Sequence, residues 1–328
     1  MAEISPGSRD ALLTVRDLIR YGVSRLNAAG VHFGHGSDNA WDEAIYLVLH
    51  ALHLPPDQLD PFLDARVLPD ERSSALSLID RRCDQRLPAP YLTKEAWLQG
   101  FRFYVDERVI VPRSPIAELL VHHLDPCIQH PEEITSVLDL CTGSGCLAII
   151  AAHAFPEALV DATDISQDAL DVAARNVADH GMQDRVALHH GSLFEPLPPE
   201  SRYDVILSNP PYVNSESMMA LPDEYRREPE IALAGGANGM DVVAAILNRA
   251  TEFMTDQGLL LIEIGHERHH FEAAFAHLDP VWLDTATAQP QPQPQPQPPE
   301  PVPCCLISSI IGHKRRLRQC SAISVRLH

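Results

Sequence analysis

Two short stretches of the chain carry residues whose types and spacing suit chemistry. The first is Asn209-Pro210-Pro211-Tyr212, directly after an apolar run. Consecutive prolines offer no N–H and fix φ, so a central strand cannot continue through them. They hold the Asn209 side chain and the Pro210 carbonyl in fixed directions, as two hydrogen-bond acceptors. Two acceptors on one planar NH2 group raise electron density on a nitrogen whose lone pair is otherwise delocalised. An amide and an exocyclic amine both meet that description, and the tetrapeptide alone does not choose between them. Tyr212 can stack on the planar group and exclude water, and alignment for in-line displacement supplies the remaining rate. No metal and no strong base are required.

The second stretch is Asp139-Leu140-Cys141-Thr142-Gly143-Ser144-Gly145-Cys146, between a predicted strand and a predicted helix. Gly143 and Gly145 let the backbone pass close to a ligand without a Cβ in the way. Asp164 ends the next predicted strand, where a carboxylate can accept from both hydroxyls of a ribose. The third glycine of the dinucleotide fingerprint is missing and no pyrophosphate cradle is evident. An adenosine ligand without phosphates fits better. A competing pattern, His266-Glu267-Arg268-His269-His270, matches His-Glu-x-x-His, but no third metal ligand is assignable.

Positioning these stretches requires a sheet. After Pro131 the chain alternates strand and helix, the signature of a parallel α/β sheet that binds ligands at strand carboxyl ends. Strands are predicted at 136–140, 160–164, 186–189, 204–208, 258–264 and 281–284. Helices are predicted at 147–155, 168–180, 240–255 and 267–278. Upstream, residues 10 to about 90 place apolar residues at helical spacing. Leu12, Leu13, Val15, Leu18, Ile19, Val23 and Leu26 form one set; Ala44, Ile45, Leu47, Val48 and Leu52 form a second. Asp38 or Asn39 is placed to cap the second helix, and Ser73 to Arg86 forms a third. Between the two regions, Phe101, Phe103 and Val105 alternate with polar residues. A turn at Asp106-Glu107 and then Val109–Val111 complete a predicted hairpin. The expected organisation is 1–98 helical, 99–113 hairpin linker, 114–285 catalytic domain, and 286–328 a Pro/Gln-rich linker with a basic tail.

Composition narrows the partners. The 328 residues include 45 acidic and 25 basic ones, for a formal charge of −20. Because the tail from 286 onward is basic, the remainder is more acidic still. Such a surface repels phosphate backbones and attracts basic polypeptides, so a basic protein is the expected partner and a nucleic acid is not. No run of eighteen apolar residues and no signal-like N-terminus is seen, so no membrane partner and a cytoplasmic location are expected. The seven cysteines, without a Cys-x-x-Cys pair, suit buried reduced thiols. The segment Gln289–Pro301 reads as an extended polyproline-type linker. The apolar and basic residues beyond it read as a tethered tail or, better by composition, as a segment without a fold.

The chain resembles the N5-glutamine methyltransferases over about residues 10 to 285. The resemblance rests on Asn209-Pro210-Pro211-Tyr212 and on the stretch Gly100-Phe101-Arg102-Phe103-Tyr104-Val105-Asp106-Glu107-Arg108-Val109-Ile110-Val111-Pro112-Arg113. Glu224-Tyr225-Arg226-Arg227-Glu228-Pro229-Glu230 and Ala234-Gly235-Gly236 add to it. It implies an α/β fold of the class I S-adenosylmethionine-dependent methyltransferases, Rossmann-like and mostly parallel, with a small N-terminal helical domain that reads the substrate. It implies S-adenosyl-L-methionine as cofactor, held by Asp139, Cys141, Thr142, Gly143, Ser144, Gly145, Asp164, Leu193 and Asn209. Substrate contacts fall on Asn209, Pro210, Pro211 and Tyr212. Arg113 is followed by Ser114-Pro115-Ile116-Ala117-Glu118, which is similar to the branch acting on large-subunit ribosomal protein L-three. The branch acting on release factors usually has Pro-Asp-Thr-Glu there. Glutamine methylation of a release factor, adenine methylation of DNA and non-catalytic ribosome-assembly binding are the competing readings, the second weakened by the acidic body. The family's sheet closes with a final antiparallel strand that residues 1–285 do not supply; Cys305–Ile311 is the available substitute.

Overall fold

The computed structural model describes residues 9–283 and the backbone of 304–308. The chain divides into two compact units. The first comprises Met1–Glu95 together with Pro222–Arg227, a short excursion from the far end of the sequence. Its principal helices are Val15–Ala29, Ala40–Ala51 and Pro69–Gln85. Thr14 and Asp17 form a reciprocal capping box at the start of the first helix, and Gly30 ends it in the left-handed conformation. Asn39, rather than Asp38, caps the second, accepting from the backbone N–H groups of Trp41 and Asp42. The predicted apolar stripes converge, with Leu18, Ile19, Leu26, Ala44, Leu47, Val48 and Ile79 fully buried in one core. Gly22 allows the close crossing: a Cβ there would lie 3.0 Å from the Ala44 Cβ.

A charged network lies within this unit. Arg82 is 1 % exposed and donates to Glu43 (2.7 Å), to Glu224 (3.0 Å) and to the His32 carbonyl (2.6 Å). Glu224 also accepts from the His32 N–H and from Arg86. The excursion Pro222–Arg227 is thereby fastened through a buried carboxylate. Burial pushes the Glu43 carboxyl up, against the Arg82 charge that lowers it.

The second unit contains Ala96–Leu221 and Glu228–His328. Its hairpin is displaced from the predicted one. Strands β1 (Glu95–Leu98) and β2 (Phe101–Tyr104) pair across Gln99-Gly100, where φ is positive at both residues, as a two-residue hairpin turn requires. The expected partner strand Val109–Val111 does not form. Asp106 turns the chain by accepting from the Arg108 N–H, and the Val111 N–H donates to the Glu228 side chain instead of to a strand.

The sheet runs in the order β5 (Val186–His190), β4 (Leu159–Asp164), β3 (Ser136–Leu140), β6 (Tyr203–Ser208), β7 (Met254–Glu263), β9 (Cys304–Ser308), β8 (Val281–Leu283). From β5 to β7 all pairs are parallel; β9 is antiparallel to both neighbours. The missing antiparallel strand is thus supplied by residues beyond the Pro-Gln segment, within the stretch expected to be linker and tail. The rest of that expected tail lies outside the described residues. Side chains alternate between faces as period two demands: Val137 and Val205 join one apolar cluster, Leu138 and Ile206 the other. Helices cover both faces, Cys146–Ala154 on the first and Asp241–Arg249 on the second. This last helix is shorter than the predicted 240–255. Met254 already pairs with Tyr203, and a register shift separates that bridge from the Val205–Leu259 pairing. Among the described residues no helix is long and apolar enough to cross a membrane.

Replacing Arg82 with Ala leaves Glu43 and Glu224 buried without their shared cation. The expected loss is about 3–5 kcal/mol, read as a lower urea midpoint by circular dichroism; an unchanged midpoint would show that the network contributes nothing.

Candidate active site

Strands β3 and β6 are neighbours, with Leu140 across from Ser208 and the Ser208 hydroxyl donating to the Leu140 carbonyl (3.0 Å). The residues that follow each strand, Cys141 and Asn209, therefore leave the sheet side by side. All the predicted site segments lie in the second unit, at the carboxyl ends of β3, β4, β5 and β6.

The glycine loop is held from below by Asp139, which is fully buried. Its Oδ2 accepts from the Thr142 hydroxyl (2.6 Å) and the Ala148 N–H (3.1 Å), while Oδ1 is buried without a partner. Burial pushes this carboxyl up to about 7, against the lowering effect of its two donors. Cys141, Gly143 and Gly145 all have positive φ. At Gly145 a Cβ would press on Ala173, 3.2 Å from its Cβ, in the helix Gln167–Asp179. Asn176 of that helix binds the Ser144 carbonyl and both backbone groups of Tyr104, fastening the hairpin to the loop.

Asp164 ends β4 half-buried. Its oxygens accept from the Gly143 N–H (2.9 Å) and the Ser166 N–H (2.8 Å), and each keeps acceptor capacity beyond those bonds. Burial raises its pKa. Leu193, beyond β5, has a positive φ and packs against the second apolar cluster. Ile165, which the sequence reading passed over, is 56 % exposed directly after Asp164.

Asn209 is half-buried and Pro210 buried. Among the described residues no hydrogen bond engages the Asn209 side chain or the Pro210 carbonyl. Backbone contacts clasp the next two residues. A Cβ on Gly235 would meet the Pro211 carbonyl oxygen at 2.7 Å, one on Gly239 the Tyr212 carbonyl oxygen at 2.1 Å, and one on Gly265 the Tyr212 ring at 2.3 Å. Val213 bridges to Ala234 and continues the clasp. The Tyr212 hydroxyl donates to Glu263 (2.8 Å), whose other oxygen accepts from Ser114 (2.6 Å). Glu263 was missed in the sequence, although a lone acid in the apolar run Leu259–Ile264 marks a buried polar group needing partners. Arg113 and Glu228 form a two-pronged ion pair with Glu228 buried, joining two segments the resemblance had singled out separately.

The His266–His270 spacing does not place two imidazoles on one helical face, because the helix begins only at Arg268. Glu267 is instead bonded to Asn214 and His270.

A family model described as the methyltransferase small domain matches residues 115–222. The ribosomal protein uL3 glutamine methyltransferase of Bordetella pertussis is 68% identical over 279 residues, covering 85% of this chain and 93% of that protein. Those of Burkholderia pseudomallei and Neisseria gonorrhoeae are 60% and 54% identical, covering 83% and 84% of this chain and 91% of each relative. The chain belongs to this methyltransferase family. Its sheet, parallel from β5 to β7 with antiparallel β9, is the class I fold.

The methyltransferases of this fold use S-adenosyl-L-methionine, and the residues present fit it. The orphaned Asp139 Oδ1 suits an ammonium group, the glycine loop leaves room for a chain passing close to the backbone, and Asp164 suits ribose hydroxyls.

The Gly265 contact is directly testable. Gly265→Ala puts a methyl group into the Tyr212 ring from a left-handed backbone position. A loss of about 2–4 kcal/mol is expected from overpacking and strain, measured as a lowered melting temperature; a wild-type melting curve would disprove the clasp.

Proposed function

We propose that this chain transfers the methyl group of S-adenosyl-L-methionine to the side-chain nitrogen of a glutamine in ribosomal protein uL3. The observation that carries the reading is the 68% identity to a uL3 glutamine methyltransferase, extending over nearly the whole of that relative. The cofactor supplies an electrophilic methyl on a sulfonium. The protein's own residues make the nitrogen able to accept it.

In this reading the Asn209 side-chain oxygen and the Pro210 carbonyl each accept one N–H of the glutamine amide. Neither acceptor has a protein donor among the described residues, so both can receive the amide without breaking an existing bond. Electron density rises on the nitrogen, and its lone pair is held in line for displacement. The Tyr212 ring covers the planar amide and keeps water out. The proton leaves without a strong base, since an amide nitrogen is acidic once alkylated. The acidic body, with 45 acidic against 25 basic residues, suits a basic ribosomal protein. The N-terminal helical unit is the candidate reader of that partner.

The deciding experiment is tritium transfer from labelled S-adenosyl-L-methionine to purified uL3. Asn209→Ala is expected to lower the rate by about a hundredfold or more, the scale of one lost preorganised contact. A folded wild-type protein that labels no ribosomal protein would overturn the reading.

Asp139 adds a pH dependence. Its ionised form attracts the ammonium of the cofactor, and its carboxyl stands at about 7. Cofactor affinity should therefore weaken as pH falls below 7, and Asp139→Asn should flatten that slope. Titration calorimetry at pH 6 and pH 8 would show it; equal affinities for the wild type would remove Asp139 from the cofactor site.

A further inference from the structure

Beneath the Tyr212 ring lies a hydrogen-bonded chain that runs through Glu263 to Ser114. Glu263 ends β7 and is fully buried within an apolar strand. Burial pushes its carboxyl up, while the hydroxyls of Ser114 and Tyr212 and the nearby Arg113 charge pull it down. Each oxygen is served by a different hydroxyl, Oε1 by Tyr212 at 2.8 Å and Oε2 by Ser114 at 2.6 Å. The Ser114 oxygen also accepts the Ile116 N–H at 3.2 Å, which orients its own O–H toward Glu263. The order is thus Ile116 N–H to Ser114, Ser114 O–H to Glu263, and Tyr212 O–H to Glu263 from the opposite side.

This chain ties the far end of the Tyr212 ring to β7 through its hydroxyl. The ring lies close against Gly265, where an added Cβ would overlap it. The hydrogen bond from the phenol hydroxyl to Glu263 opposes rotation and sliding of the ring. Each Glu263 oxygen has its own donor, which offsets the cost of burying the carboxyl in this apolar setting.

We infer that Ser114, acting through Glu263, is a positioning residue that fixes the plane of the Tyr212 ring over the amide to be methylated. The inference rests on the proposed glutamine methylation. Without the Ser114 hydroxyl, Glu263 takes up a proton more readily and the tether of Tyr212 weakens. The ring then samples orientations that no longer hold the amide flat. Ser114 thereby affects turnover without meeting the substrate or the cofactor.

A double-mutant cycle on the full chain tests this, with uL3 and S-adenosyl-L-methionine as substrates. Ser114→Ala and Tyr212→Phe should each lower kcat about tenfold, and the double variant should fall by about the same tenfold rather than a hundredfold. Calorimetric affinity for S-adenosyl-L-methionine should stay within about twofold in all three, because none of the changes touches the cofactor loop. Multiplicative losses, or a Ser114→Ala variant with wild-type turnover, would overturn the inference while leaving the methylation reading intact. If Ser114→Ala loses cofactor binding through misfolding, Glu263→Gln replaces it in the same cycle with the same expected non-additivity. A wild-type protein that methylates no glutamine sinks the functional reading itself, and the inference with it.

Discussion

Parallel pairing of β3 with β6 sets the spacing on which the rest of the site depends. Two buried apolar strands in register bring the glycine loop and Asn209 out at the same edge, one strand apart. Their residues fill both faces of the sheet, Val137 and Leu207 toward one cluster and Leu140 and Ile206 toward the other. A slip of one residue would turn every one of these side chains to the wrong face. The hydrophobic core therefore fixes the register, and the register aligns the loops.

Fine positioning falls to buried polar groups. Asp139 holds the turn into the helix Cys146–Ala154, Asn176 fastens that turn to the hairpin, and Glu263 tethers Tyr212. Glu228 receives both the Arg113 guanidinium and the Val111 N–H, which is why Val111 does not extend a strand. Charged groups are costly in such surroundings and persist where hydrogen bonds compensate them. They contribute direction, which apolar contacts cannot supply. Glycines act with them: Gly235, Gly239 and Gly265 admit the Pro211-Tyr212 backbone and ring at distances a Cβ would forbid.

The far edge of the sheet depends on residues distant in sequence. Among the described residues β8 pairs with β9 alone, and β9 joins it to β7. Leu283 lies opposite Cys304, with the Pro-Gln stretch between them. An apolar run after a low-complexity segment reads by composition as a tail. What makes it a strand is the pair of open edges on β7 and β8, which local sequence does not display.

The sequence by itself determined the helical N-terminal region, the strand–helix alternation, the Asn209-Pro210-Pro211-Tyr212 break after β6 and the acid at the end of β4. These follow from periodicity, proline geometry and residue type, all of them local properties of the chain. Family membership was also legible, because its motifs are contiguous. Only the tertiary structure decided that Arg113 pairs with Glu228, that Ser114 and Tyr212 share Glu263, and that β9 completes the sheet. It also moved the hairpin turn from Asp106-Glu107 to Gln99-Gly100, where two positive φ values fit the twist of the paired strands. Each of these depends on which buried group meets which partner across a fold, and spacing along one chain carries no record of that.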